Sequence, residues 1–219
     1  MKQHRPHDDD KHGQPHGTTD GNGHNHGHPY HRFDSANLAH LDNDERRQRL
    51  PPKEVLTAAA VGAGHVFGDI GCGPGFFTLP ASHLVGPRGR VYAVDVQPEM
   101  VAAVGEKIKA AGAANVTMLH SAENHIPLAD ATLDRALLAF MLHETMDQQR
   151  FLREVRRLLR ASAELAVVEW RKVATVPGPP LEHRLSEEEV EQVARVAGYH
   201  PLTRQRLGDE FYLSRFVAA

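Results

Sequence analysis

Three glycines at alternate positions, directly behind a short apolar stretch, constrain this chain more than any other feature of its sequence. The predicted strand Val66–Ile70 is followed by Gly71, Gly73 and Gly75 in the run F-G-D-I-G-C-G-P-G, and residues 76–85 can continue as a helix. Glycine has no Cβ, so this turn can adopt positive φ and let a ligand approach the backbone closely. The free N–H groups at the start of the helix favour polar or anionic groups of that ligand. The run therefore predicts a nucleotide-binding strand, turn and helix.

The spacing of the glycines decides which nucleotide the turn suits. A dinucleotide-binding fingerprint reads G-x-G-x-x-G, and its third glycine, counted from Gly71, would stand where this chain has Phe76. The chain instead reads G-x-G-x-G, with Asp69 two residues ahead of the first glycine. This pattern resembles the first motif of the class I S-adenosylmethionine (SAM)-dependent methyltransferases, in which an acidic residue precedes G-x-G-x-G. The resemblance implies a SAM-dependent methyltransferase.

The resemblance covers residues 33–217 and implies an α/β fold. This fold is Rossmann-like and doubly wound, with a mostly parallel seven-stranded sheet and an antiparallel C-terminal strand. Within the family, the chain is similar to the small stand-alone methyltransferases of the ubiquinone/menaquinone-biosynthesis-like group. Further strands are predicted at residues 91–94, 116–119, 133–141, 164–170, 199–206 and 210–217, and helices at residues 98–111, 147–160 and 186–198.

Asp95 is the predicted ribose ligand. It ends the second predicted strand and stands 20 residues after Gly75. An acidic residue at about this distance accepts hydrogen bonds from the ribose hydroxyls in nucleotide-binding folds of this kind. The alternative is a carboxylate that only caps the helix beginning at Pro98.

The other cofactor contacts are implied by the family resemblance. Asp69 is expected to order the glycine turn or to meet the methionine ammonium of SAM. Ser121 stands where the family typically has an aspartate that contacts the adenine amino group, and a hydroxyl can still accept one hydrogen bond. The backbone N–H of Ala122 is expected to contact an adenine ring nitrogen.

His143 is the candidate catalytic residue. It follows the fourth predicted strand, whose end faces the sulfonium in this fold, and Glu144 stands beside it. Histidine can accept a proton near neutral pH, so His143 is expected to act as a general base or to contact the substrate. The alternative is a side chain that only shapes the pocket. Glu169 ends the fifth predicted strand and is expected near the same crevice.

The N-terminal part of the chain differs from the rest. Residues 1–32 hold eight of the sixteen histidines and few aliphatic side chains, which predicts a disordered tail. His24, His26 and His28 could chelate a divalent transition metal; the alternative is a solvated tail without that role. Residues 33–219 form the predicted methyltransferase domain.

Residues 33–62 are predicted to form a helical lid on this domain. Asp42 or Asn43 is predicted to cap a short helix, and a second helix begins near Pro52 and ends at Gly62 and Gly64. In the family that the chain resembles, segments at this position lie over the cofactor. The composition of the segment also fits a simple packing helix.

The composition of the chain limits the classes of partner and acceptor that are expected. The formal net charge of −3 argues against a nucleic-acid partner, and no apolar run approaches the ~18 residues of a membrane span. The chain shows no secretory signal, so a cytoplasmic location and a small-molecule acceptor are expected. Cys72 is the only cysteine, which argues against thiolate-based arsenic methylation. Two alternatives stay open: a nicotinamide-dependent oxidoreductase on a related fold, and a metal-binding protein that acts through its tail.

Overall fold

Strands and helices alternate along the domain as an α/β fold requires. The computed structural model describes residues 41–174, 176 and 178–218. The predicted tail, with His24, His26 and His28, and the first part of the predicted lid lie outside these residues. The helices are α1 (Asp44–Arg49), α2 (Pro52–Ala58), α3 (Thr78–Val85), α4 (Pro98–Ala111), α5 (Gln148–Leu158) and α6 (Glu187–Val196). The strands are β1 (Val66–Ile70), β2 (Arg90–Asp95), β3 (Val116–His120), β4 (Leu133–Ala139), β5 (Leu159–Trp170), β6 (Tyr199–Leu207) and β7 (Phe211–Ala218).

The seven strands form one sheet in the order β3-β2-β1-β4-β5-β7-β6. Strand β1 pairs in parallel with β2 and β4, and the parallel pairing continues outward to β3 and β5. Strand β7 is antiparallel to both β5 and β6. The predicted mostly parallel, seven-stranded sheet with an antiparallel C-terminal strand is therefore confirmed. Because the strand order reverses between β1 and β4, a ligand crevice is expected at the carboxyl ends of these strands.

Helices cover both faces of the sheet, which makes the fold doubly wound. In β5, Leu165 and Val167 belong to a buried apolar cluster with residues of α5 and α6. Ala166 and Val168 belong to a second cluster, with residues of α2 and α3. Neighbouring residues of a strand face opposite sides of a sheet, so a continuous apolar run in β5 serves both clusters.

The described part of the predicted lid forms two short helices. Asn43 rather than Asp42 caps α1, because its Oδ1 accepts a hydrogen bond from the N–H of Arg46 at 2.8 Å. Helix α2 begins as predicted but ends at Ala58, so the predicted end at Gly62 and Gly64 is wrong. Residues 59–65 then connect α2 to β1.

Further predicted boundaries, one of them beside the crevice, are also wrong. Strand β4 ends at Ala139 rather than at Met141, because Phe140 has a φ of 59°, which an extended strand does not contain. A 3₁₀ turn, Leu142–Glu144, follows. Helix α5 ends at Leu158, and β5 begins at the next residue without a loop. The sharp turn at the end of β4 places His143 on a short helical turn beside the crevice.

The start of α6 is as predicted. Ser186 and Glu189 form a capping box, in which each side chain accepts a hydrogen bond from the backbone N–H of the other. This arrangement satisfies N–H groups that the first helical turn leaves without a partner.

Candidate active site

A cavity of about 440 Å³ lies at the carboxyl ends of β1, β2 and β4, where the strand order reverses. Its volume falls in the range of small-molecule sites, roughly 300–1,000 Å³. The glycine turn, the ends of these strands and residues of α1 form its wall. The predicted site residues that line it are Asp69, Gly71, Gly73, Asp95, Ser121 and His143.

The glycine turn leaves no room for side chains at two of its positions. A Cβ at Gly71 would lie 2.9 Å from Cγ of Met141, and a Cβ at Gly75 would lie 3.2 Å from Cγ2 of Val104. Gly71 and Gly73 have φ values of 72° and 52°, in the left-handed region that favours glycine. Gly75 supports the turn from behind, where α4 packs. The bare backbone therefore faces the cavity at Gly71 and Gly73.

The Asp95 carboxylate joins the glycine turn to the end of β2. One oxygen accepts the N–H of Gly73 at 2.9 Å, and the other accepts the N–H of Gln97 at 2.9 Å. Asp95 is 7% exposed and lines the cavity. The carboxylate supports the start of α4, as the alternative interpretation predicts. It also lies beside the turn, at the position where folds of this kind have the carboxylate that binds the ribose.

Asp69 lies deeper and is 2% exposed. Its Oδ2 accepts a hydrogen bond from the hydroxyl of Thr78 at 2.6 Å, which ties the end of β1 to the first residue of α3. Burial raises the pKa of Asp69 to about 7, and the nearby Asp95 carboxylate acts in the same direction. The contact with Thr78 supports the predicted role of ordering the turn.

The loop after β3 separates the two predicted adenine contacts. Ser121 lines the cavity, and its N–H donates to the carbonyl of Asp95 at 3.0 Å. Ala122 is exposed and does not line the cavity, and its N–H donates to the carbonyl of His125 at 3.1 Å. Glu123, for which the sequence predicted no role, lines the cavity instead.

His143 forms a buried pair with Glu169. Its Nδ1 lies 2.7 Å from Oε2 of Glu169, and its backbone N–H donates to Oε1 at 3.2 Å. The two side chains are only 2% and 1% exposed. Burial by itself lowers the pKa of His143, but the Glu169 carboxylate outweighs it, so the pKa is raised above its ordinary value. Sequence reasoning placed Glu169 near the crevice and missed the pairing.

The second ring nitrogen of His143 is also buried. Nε2 has no hydrogen-bond partner among the described residues, and the nearest carboxylate oxygen, Oε1 of Glu144, is 4.0 Å away. Since Glu169 accepts at Nδ1, that nitrogen carries the hydrogen and Nε2 of the neutral ring is the acceptor. The pair therefore presents a buried proton acceptor in the wall of the cavity.

An aromatic cluster forms another part of the wall. The ring centroids of Phe140, Trp170 and Phe211 lie 4.7–5.6 Å apart. Gly178 packs on the indole so closely that a Cβ would lie 2.7 Å from the Trp170 ring. The buried Arg184 holds this loop by donating to backbone carbonyls, among them that of Pro179 at 2.8 Å. Sequence reasoning missed this wall, since its members come from three separate segments.

Residues in and just before α1 form a further part of the cavity wall. Asp42, just before α1, pairs with Lys107 of α4 at 2.5 Å, and Lys107 also donates to the carbonyl of Pro74 in the glycine turn at 2.8 Å. At the other end of α1, Arg49 pairs with Glu210 at 2.6 Å. The residues that line the cavity here are Leu41, Asn43, Glu45, Arg46 and Arg49.

Within the described residues, no three His, Cys, Asp or Glu side chains come together in a way that could hold a metal ion. None of the helices there combines the length and the apolarity that crossing a bilayer requires.

The reversed strand order, the bare glycine turn and the carboxylate beside it define a nucleotide-binding α/β domain, with a proton acceptor in the same cavity. A family model described as a methyltransferase domain matches residues 68–167. The crystal structure of a SAM-dependent methyltransferase from Aquifex aeolicus is 35% identical, with a TM-score of 0.83. The match covers 86% of this chain and 100% of that one. The chain therefore belongs to the SAM-dependent methyltransferases, and SAM is its cofactor.

The chain is also similar to curated proteins that are named for quinone biosynthesis. The ubiquinone/menaquinone biosynthesis C-methyltransferase UbiE of Pasteurella multocida is 31% identical over 57% of this chain and 47% of its own length. The demethylmenaquinone methyltransferase of Bacillus cytotoxicus is 28% identical over 57% of this chain and 52% of its own length. The chain thus spans about half the length of the curated relatives it matches. Neither the oxidoreductase nor the metal-binding alternative finds support in these matches.

Proposed function

We propose that this chain transfers the SAM methyl group to a small aromatic acceptor that carries an ionisable hydroxyl, as a reduced quinone precursor does. The observation that carries this proposal is the buried His143–Glu169 pair, whose Nε2 is without a partner among the described residues. The aromatic wall of Phe140, Trp170 and Phe211 suits a planar ring. The names of the curated relatives support the same class of acceptor.

The residues around the glycine turn hold the cofactor in this proposal. Asp95 accepts the ribose hydroxyls, and the backbone at Gly71 and Gly73 lies along the ribose and the methionine part. Ser121 bonds to the adenine edge, and the contact of Ala122 stays a prediction. SAM supplies a methyl group on a positively charged sulfur, which is already an activated leaving group. The chain's main task is then to hold the acceptor in line with that methyl group.

The His143–Glu169 pair moves the proton. Nε2 of His143 accepts the proton of the acceptor hydroxyl, and Glu169 stabilises the resulting imidazolium through Nδ1. The acceptor's electron pair forms the new bond to the methyl carbon, and the pair of the broken S–CH₃ bond stays on sulfur. Where a ring carbon is methylated, its own proton then leaves to restore the aromatic ring. Residues at α1 exclude water from the cavity, the role predicted for the lid at residues 33–62.

Methyl transfer to a reduced quinone tests this function. The full chain is incubated with SAM carrying a labelled methyl group and with demethylmenaquinol of short side chain; we expect label on the quinol ring. The oxidised demethylmenaquinone is the matched control, since it lacks the hydroxyl protons that His143 would accept, and no label is expected there. Binding of SAM in calorimetry without label on the quinol would show that the acceptor class is wrong.

The buried Asp69 carboxyl predicts a pH dependence of stability. Its pKa is about 7 in the fold against 3.8 ordinarily, so the folded state binds the proton more tightly than the unfolded chain. This stabilisation is present in full below about pH 4 and is lost as pH rises through 7. Relative to Asp69→Asn, the wild-type free energy of unfolding should therefore fall by on the order of a few kcal/mol between pH 4 and 8.

Urea unfolding of both proteins across this pH range measures the difference. A difference that stays constant with pH would contradict the assignment of a buried, protonated Asp69. Saturating SAM should reduce the pH dependence if the methionine ammonium meets Asp69, because a cation favours the ionised carboxylate. An unchanged dependence would leave Asp69 with the ordering role alone.

A further inference from the structure

Arg46 brings a half-buried positive charge to the wall of the cavity. Its guanidinium lies 4.7 Å from the ring centroid of Phe76 and 5.1 Å from that of Phe140. Nη1 donates to the carbonyl of Leu41 at 2.6 Å, which leaves further N–H donors on the same group. Burial lowers the pKa of Arg46 to about 10, so the guanidinium is still charged at neutral pH.

The neighbouring cations already have carboxylate partners. Arg47 pairs with Asp42, and Lys107 binds the other oxygen of the same carboxylate. Arg49 pairs with Glu210. Arg46, by contrast, has no carboxylate within ion-pair distance among the residues that the structure describes. A guanidinium in this position is favourable only when an anion or aromatic faces meet it.

We propose that Arg46 is the anion-binding residue of the cavity and binds a carboxylate of a bound small molecule. This inference rests on the proposed function, because it assigns a partner within the same site. The rings of Phe76 and Phe140 hold the guanidinium plane, and its forked donors match a carboxylate in two parallel hydrogen bonds. The carboxylate belongs either to the methionine part of SAM or to an acidic acceptor.

The charges of the cavity agree with this assignment. The other charged groups that line it include the carboxylates of Asp95, Glu123 and Glu144. These suit hydroxyls and cations, among them a sulfonium and an ammonium, and they repel a carboxylate. Arg46 can therefore bind the carboxylate of SAM or of an acidic acceptor. It would not have to break an ion pair with any of the described residues to do so.

Binding titrations with matched ligands test the proposal. Trp170, the chain's single tryptophan, lines the cavity, so its fluorescence reports binding directly. SAM is compared with decarboxylated SAM, which differs only in lacking the carboxylate. In the presence of S-adenosylhomocysteine, 4-hydroxybenzoate is compared with its neutral amide, 4-hydroxybenzamide. The proteins are the wild type, Arg46→Met, Arg46→Lys and the control Arg47→Met, which removes the same charge from the same helix outside the cavity.

We expect Arg46→Met to weaken binding of one carboxylate ligand about 10- to 100-fold and to leave its neutral partner within about twofold. If Arg46→Met loses affinity for SAM alone, the carboxylate that Arg46 binds belongs to the cofactor. If it loses affinity for 4-hydroxybenzoate alone, that carboxylate belongs to the acceptor. Arg46→Lys should lose less affinity, since it keeps the positive charge and loses only the two parallel hydrogen-bond donors of the guanidinium. This variant replaces Arg46→Met in the test if Arg46→Met does not fold. Equal effects on charged and neutral ligands, or equal effects of Arg47→Met, would overturn the proposal. A wild type that does not bind SAM would instead refute the proposed function.

Discussion

Replacing Asp95 with alanine is expected to weaken SAM binding by at least about 100-fold. Two hydrogen bonds from ribose hydroxyls to a charged acceptor contribute roughly 1.5–3 kcal/mol each, and both are lost. The substitution also removes the acceptor for the N–H groups of Gly73 and Gln97, so the turn keeps only its backbone hydrogen bonds to Val94 as a connection to β2. Calorimetric titration with SAM measures the change, and thermal unfolding shows whether the fold is kept.

Two further variants make this result specific. Glu99→Ala removes an exposed carboxylate in the first turn of α4, close in sequence to Asp95 and outside the cavity, and should leave SAM binding unchanged. Asp95→Asn keeps the shape and one acceptor oxygen, so its loss of affinity should lie between those of the other two. If Asp95→Ala bound SAM within about threefold of the wild type, the ribose assignment would be wrong.

Replacing His143 with alanine is expected to lower kcat for the quinol acceptor by about 10²–10⁴-fold, the range typical of a lost general base. The dissociation constant for SAM should stay within about threefold, because no predicted cofactor contact involves this side chain. Steady-state kinetics and SAM titration on the same preparation measure the two quantities. Glu144→Gln is the matched control: it removes the neighbouring carboxylate and should reduce kcat far less. If Glu144→Gln reduced kcat far more than His143→Ala, the general base would be Glu144 and not His143.

The pH profile separates a catalytic pair from a merely structural one. Only neutral His143 accepts a proton, so kcat/KM should rise with pH through the raised pKa of this residue. Glu169→Gln removes the charge that raises this pKa, so the rising limb should move to lower pH while the plateau falls. If the high-pH value of kcat/KM falls while the rising part of the profile stays at the same pH, Glu169 only supports the fold.

The position of the glycine turn and of its two carboxylates was predictable from local sequence. The glycine spacing and the acidic residues Asp69 and Asp95 lie within one strand–turn–helix–strand unit. Their geometry follows from short-range rules of backbone conformation and strand direction. The structure places all of them at the predicted turn, with Asp95 bonded to Gly73. The adenine contacts stay predictions, and the isolated bridge of Ala122 with His125 could not be predicted because it depends on how that loop closes.

The acceptor end was decided by the tertiary structure. The pair of His143 and Glu169 joins the 3₁₀ turn after β4 to the end of β5, and the two residues are 26 positions apart. The ion pair of Arg49 with Glu210 spans 161 residues. No local pattern marks such partners. The positive φ of Phe140 redirects the chain at the end of β4 and brings His143 to the cavity wall, and a strand carried to Met141 would have placed it elsewhere. The sequence by itself thus determined which cofactor the chain binds, because that turn is built from neighbours. Which groups face the acceptor depends on the packing of distant segments, and only the folded chain brings those together.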